Sequence, residues 1–174
     1  MTLKRFISRI NWRQLLIHFI ATWFFIHSFH TLSYLSNTRL VEIYRGANEG
    51  TEMIALFNNG ITTTDLVDFF IWTTCSGSIG LLVAFVLSLI LSIRKHWFWF
   101  NSLIVLLVIY LLQWFTSLGW PYVRKVFLFK GATTHKITWE FIINGSILLA
   151  LGLFVFFSRK TNRFIEKGNS PIQL

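Results

Sequence analysis

Four windows of the chain are long and apolar enough to cross a hydrocarbon core about 30 Å thick, which takes about 20 residues of helix. They cover residues 13–35, 65–93, 97–118 and 139–157. Each is bounded by polar punctuation. "IRKHWFW" turns the second window into the third, and "GWPY", with Gly119 and Pro121, stops the third. The pattern predicts an all-α integral membrane protein. Its four transmembrane helices form one domain over residues 1–174, with outer loops at 36–64 and 119–138. The first window follows a basic stretch, but its apolar run is long and bulky and no small-x-small cleavage site follows, so it is read as a retained helix.

The loops carry patterns of their own. Residues 38–60, "TRLVEIYRGANEGTEMIALFNNG", offer Thr38 and Thr51 as helix caps and Gly46 and Gly60 as stops. Two short amphipathic helices lying at the outer surface are expected there. Residues 122–139 are rich in β-branched and aromatic side chains around a Lys-Gly turn, which fits either a hairpin or an interfacial segment.

Charge orients these spans. Ten of the 16 lysines and arginines fall on the side shared by the N-terminus, the turn at 94–97 and the C-terminus, and six fall in the other two loops. By the positive-inside rule both termini are cytoplasmic. Six of the seven acids lie on or near the outer side, Glu166 being the exception. Trp12, Trp97 and Trp99 then sit at the inner interface, with Tyr34, Trp120, Tyr122 and Trp139 at the outer one. Amphipathic rings favour that headgroup zone.

Composition confirms the solvent. Only 13% of residues are charged while 54% are hydrophobic, against roughly a quarter charged in soluble domains. The net charge of +9 resides in clusters beside apolar runs, so it reads as a topology signal with a secondary affinity for anionic headgroups, and nucleic acid is not expected. Compactness and the use of a single cysteine, Cys75, point to a bacterial inner membrane. Cys75 has no disulfide partner and no zinc-ligand spacing around it, and reads as a packing residue.

Ser76, Gly80, Ala84, Ser88 and Ser92 recur every four residues along the second span. In lipid, helices are held by close backbone approach and interhelical hydrogen bonds, which a small-residue stripe permits. Gly145, Ser146, Ala150 and Gly152 offer a matching groove on the fourth span. These two helices are expected to touch, within one molecule or across a dimer.

Polar side chains inside the spans are costly and should face one another. At 1.5 Å of rise per residue, His30, Gln113 and Asn144 fall roughly 7–9 Å below the outer edge. His27 and Tyr110 fall roughly 12 Å below it, and Glu140 roughly 3 Å. Three helices thus each contribute a pair at i,i+3 or i,i+4, the spacing that puts both members on one face. A polar layer in the outer half is expected, with Thr73 and Thr74 within reach, nothing comparable in the inner half, and His18 apart from it. His27 and His30, in "FFIHSFH", read as packing histidines, with a proton relay or metal and haem ligation as alternatives. Haem would lack a histidine on a second span. Glu140 reads as a first-turn residue favoured by the helix dipole.

Thr62-x-x-Asp65 has the form of an N-cap, and Asp65 with Asp68 is the only pair suggesting catalysis at the outer face. There is no glycine-rich phosphate loop, no zinc signature and no nucleophile–base pattern. The expected function is that of a non-enzymatic subunit or accessory factor, partnered by the bilayer and by itself or another membrane protein, without cofactor or metal. A small channel, transporter or pore-forming effector using the outer polar layer is the first alternative. A membrane enzyme acting on a lipid-borne substrate at the outer face is the second.

Overall fold

The computed structural model describes residues 9–115 and 136–167, with side chains over 9–112 and 136–167. Seven α-helices occur among the described residues: α1 (Trp12–Ser33), α2 (Thr38–Gly46), α3 (Glu52–Asn58), α4 (Thr63–Arg94), α5 (Phe100–Phe115), α6 (Ile137–Phe157) and α7 (Arg159–Glu166). A 3-10 turn, Tyr34–Asn37, joins α1 to α2. The stretches Trp12–Gly46, Thr63–Arg94 and Ile137–Phe157 are each long and apolar enough to cross a membrane. The chain is an all-α polytopic membrane protein with at least three such helices. The expected hairpin or interfacial segment at 122–139 lies almost wholly outside the described residues.

Local chemistry explains the boundaries. Asn11 starts α1, its side-chain oxygen accepting from the backbone N–H groups of Arg13 and Gln14. At α4 the expected cap is a complete capping box. The Thr62 hydroxyl accepts from Asp65 N at 3.2 Å, and the Asp65 carboxylate accepts from Thr62 N at 2.8 Å. The cap helices start differently from expectation. Asn37, not Thr38, caps α2 by accepting from Leu40 N. Thr51 does occupy the N-cap of α3, but its hydroxyl donates to Asn48 O instead of holding the helix N–H groups.

Two helices end by the same device. Gly60, at φ +78°, follows α3, with Gly60 N–H donating to Phe57 O and Ile61 N–H to Leu56 O. His96, at φ +53°, repeats this after α4, with His96 N–H on Ile93 O and Trp97 N–H on Ser92 O. A histidine is unusual in the left-handed region, but the turn swings Trp97 back against the bundle, where it is buried.

The helices run up and down between two ends. The base is where α1 begins and α4 and α6 finish; the cap end carries α2 and α3. α1 is the hub, lying between α4 and α6, while α5 packs beside α1 and α4. Within one molecule this arrangement replaces the expected contact between the second and fourth spans. Their small residues both address α1, from different sides, and α4 and α6 scarcely meet. An ideal Cβ on Gly80 would sit 2.9 Å from Phe25 O and 3.0 Å from Ile26 Cα, so α1 and α4 touch backbone to backbone. Gly152 faces the Phe25 ring, and Gly145 faces Leu32.

Apolar packing falls into three groups. At the base, Phe25, Leu91, Trp97, Phe156 and Ile165 surround Ala21 and Ala84. Ile26, Leu81, Val105 and Ile109 join α1, α4 and α5. Leu40, Leu56 and Ile61 form the small core of the cap. Helix α7, not anticipated from the sequence, closes the base. Asn11 Nδ2 donates to Ile165 O at 3.0 Å, and the Arg13 guanidinium lies over the Phe164 ring at 4.9 Å.

Candidate functional site

Two features stand out: a hydrogen-bonded network at the base and an apolar cavity beneath the cap. The network corrects the expectation that the half of the bundle where α1 begins holds no comparable polar set. Gln14 and His18 lie one turn apart on α1, Ser88 and Ser92 one turn apart on α4, and Asn101 and Ser102 open α5. All six are buried.

Gln14 bridges both neighbours. Its Nε2 donates to Ser92 Oγ at 2.8 Å, and its Oε1 accepts from Asn101 Nδ2 at 2.7 Å. His18 Nδ1 lies 2.6 Å from Ser88 Oγ, which donates to Ser102 Oγ at 2.7 Å. Ser92 Oγ donates to Ser88 O at 2.8 Å and lies 3.1 Å from Ser102 Oγ. A hydroxyl has one hydrogen to give. Ser88 gives its own to Ser102, so His18 Nδ1 is the donor toward Ser88. By the same count Ser102 donates to Ser92. The hydroxyls therefore form one directed chain linking three helices. His18 Nε2 has no hydrogen-bond partner among the described residues and sits among apolar rings, with the Phe156 centroid 5.3 Å away and that of Trp97 6.1 Å away.

The pairing rule that flagged the outer half applies equally to Gln14 with His18 and to Ser88 with Ser92. In sequence the serines merge with the packing stripe and His18 looks isolated. The signal was present.

The residues expected in the outer layer are divided. His30 is half-buried, with Nδ1 donating to Thr73 O at 3.1 Å and Nε2 accepting from the Tyr34 hydroxyl at 3.1 Å. His27 is buried with its ring 5.0 Å from that of Trp23. Glu140 Oε2 accepts from Arg45 Nη1 of α2 at 3.0 Å, tying α6 to the cap. Asn144 is 2% exposed, and neither of its amide atoms has a partner among the described residues. Tyr110 is 56% exposed and points away from the bundle. Gln113 lies beyond the described side chains. Thr73 is buried and bonds back to Phe69 O, while Thr74 is exposed.

Among the expected packing residues, Ser76, Gly80, Ala84, Ser88 and Ser92 are all buried. Gly145 and Gly152 are buried as well, but Ser146 and Ala150 face outward. Gly145 O instead accepts from the Ser28 hydroxyl at 2.7 Å. Asp65 is engaged in its cap, and Asp68, exposed, lines a shallow depression with Asn37 and Trp72. Cys75 is exposed. Among the described residues, no three His, Cys, Asp or Glu side chains group as a metal site.

The cavity lies where α1 ends and where α4 and α6 begin. It has a volume of about 580 Å³ and is half open, with Leu56, Phe69, Phe70 and Phe141 among its walls and Tyr34 beside them. Arg45 is the one charged residue among the described residues of its lining. The guanidinium stands 5.1 Å above the Phe141 ring, at the boundary between the apolar wall and the Glu140 carboxylate. α4 explains the cavity's height. Its 32 residues extend about 48 Å at 1.5 Å per residue, well beyond a hydrocarbon core of about 30 Å. Its first turns supply the wall against which α2 and α3 rest. Compared with protein-family models, with curated proteins and with solved structures, the chain matches none.

Proposed function

We propose that this chain is a non-enzymatic accessory protein of the membrane: a single-domain bundle of four spans that assembles with itself or with another membrane protein. The observation that carries this reading is the buried hydrogen-bonded network at the base. Gln14, His18, Ser88, Ser92, Asn101 and Ser102 bond to one another across three helices. Polar groups so arranged act as glue between helices. α5, described for 16 residues, rises about 24 Å beside α1 and α4 and supplies the fourth crossing. The cation distribution favours the base, with both termini, on the cytoplasmic side, and the compact chain with its single cysteine favours a bacterial inner membrane.

A channel draws less support, because Tyr110 points outward and Glu140 is tied to Arg45. An enzyme at the outer face draws less support too, because Asp65 holds a helix end. The test is gentle purification followed by mass analysis of the intact complex, with parallel flux measurements in liposomes. A fixed-ratio assembly without ion or proton flux is the expected result. A lone chain that conducts would overturn the reading.

A further inference from the structure

We propose that the cavity beneath the cap holds one hydrocarbon chain of an anionic phospholipid drawn from the surrounding leaflet, with its phosphate on the guanidinium of Arg45. Ligand sites are concave and mostly apolar, with a few polar groups that fix orientation, and run to about 300–1,000 Å³. The cavity, about 580 Å³, meets that description. Its wall is aromatic and aliphatic, and Arg45 is the sole charge along it among the described residues. The matching ligand is therefore a long apolar body with one anionic group.

Position selects the source. The walls come from the ends of helices that span the bilayer, so the cavity stands at the boundary between headgroups and chains. Val67, Phe70 and Ile71 of α4 are exposed at its rim, giving an apolar entry from the side. At that boundary phospholipid is the surrounding solvent, whereas a soluble ligand would have to reach the cavity past these side chains. Met53 contributes a flexible thioether to the wall, a side chain that adapts to irregular apolar shapes.

Arg45 is placed to read the headgroup. One edge of its guanidinium is held by Glu140 at 3.0 Å, and the side chain is 42% exposed. A guanidinium has five N–H donors in a fixed fork that suits phosphate. The edge turned from Glu140 has no acceptor among the described residues. Glu140 thus orients the fork without filling it.

The experiment uses the full chain in vesicles of phosphatidylcholine and phosphatidylglycerol, with a chain-diazirine version of one lipid at a time and labelled peptides read by mass spectrometry. The expected result is labelling of residues 53–56 and 66–71 by the phosphatidylglycerol probe, severalfold above that of the outward face of α6 near Phe154. Val67→Trp, at an exposed rim position, should reduce cap labelling about fivefold by filling the cavity. Arg45→Gln should reduce it for phosphatidylglycerol and leave phosphatidylcholine labelling at its low level.

Glu140→Gln separates headgroup binding from a structural role for the ion pair. It breaks the same pair but keeps the cation, so phosphatidylglycerol labelling should persist. Loss of labelling in both Arg45→Gln and Glu140→Gln would overturn the proposal. So would cap labelling no greater than on α6, insensitivity to Val67→Trp, or stronger capture of a free fatty acid probe than of the phospholipid. The outcome is independent of whether the protein assembles with a partner.

Discussion

His18 and Ser88 meet at 2.6 Å, both fully enclosed where α1 crosses α4. The contact joins a histidine that looks isolated in sequence to a serine that looks like a spacer. It is the point at which the packing stripe of α4 becomes a hydrogen-bonding stripe. Measured couplings of this kind in membrane bundles average about 0.6 kcal/mol and reach about 1.7 kcal/mol. A double-mutant cycle of His18→Leu and Ser88→Ala, read by unfolding in mixed micelles, should give a coupling within that range. Strict additivity of the two substitutions would refute the bond.

Gln14 matters more, because it serves two helices. Gln14→Leu leaves Asn101 Nδ2 without its acceptor in a buried setting. Leaving a buried polar group unmade costs about 1–3 kcal/mol, and a loss of stability in that range is expected. Adding Asn101→Leu should recover part of it, since the stranded donor is gone. Tyr110→Phe, at an outward position, should stay within about 0.5 kcal/mol. Equal effects of Gln14→Leu and Tyr110→Phe on the unfolding midpoint would contradict the buried network.

The glycines of α4 and α6 should rank by what their missing Cβ would meet. At Gly80 it meets the α1 backbone at 2.9 Å, which cannot yield without separating the helices. At Gly145 it meets Leu32 side-chain atoms at 2.5 Å, which can rotate away. At Gly77 the nearest atom is Ile26 Cγ2 at 3.8 Å, an ordinary contact. Gly80→Ala should therefore destabilise by about 1–3 kcal/mol, the usual range for overpacking, with Gly145→Ala intermediate and Gly77→Ala neutral or better. Thermal unfolding in detergent supplies the order, and Gly77→Ala proving the worst would reverse the packing assignment.

Asp65 and Asp68 look alike in sequence and should behave differently. Asp65 accepts from Thr62 N at 2.8 Å and from the Thr62 hydroxyl at 2.7 Å, whereas Asp68 has no hydrogen bond among the described residues. Asp65→Ala should speed amide exchange through the first turn of α4. Asp68→Ala should leave it at the original rate. Hydrogen–deuterium exchange of the peptide over residues 62–70 reads both, and identical protection in the two variants would remove the capping role.

The outer layer shows where a one-dimensional reading reaches its limit. Rise per residue places His30, Tyr110 and Asn144 in depth along their own helices, but depth carries no rotation about the axis. His30 turns inward and finds Thr73 and Tyr34. Tyr110 turns outward, and Asn144 turns inward without finding a partner. The same limit divides the groove of α6. Gly145 and Gly152 face α1, and Ser146 and Ala150 do not, although size and spacing suggest one groove for all four.

By itself the sequence determined the solvent, the main apolar helices, the stripe on α4 and the cap at Thr62, because these depend on composition, spacing and contacts a few residues long. Only the tertiary structure decided that α1 is the hub, that His18 meets Ser88 across 70 residues, and that the first turns of α4 wall a half-open cavity. Those results depend on which way each helix is rotated and which neighbour it meets. In lipid, where apolar faces are nearly interchangeable, that choice rests on a few backbone approaches and hydrogen bonds between residues far apart in the chain.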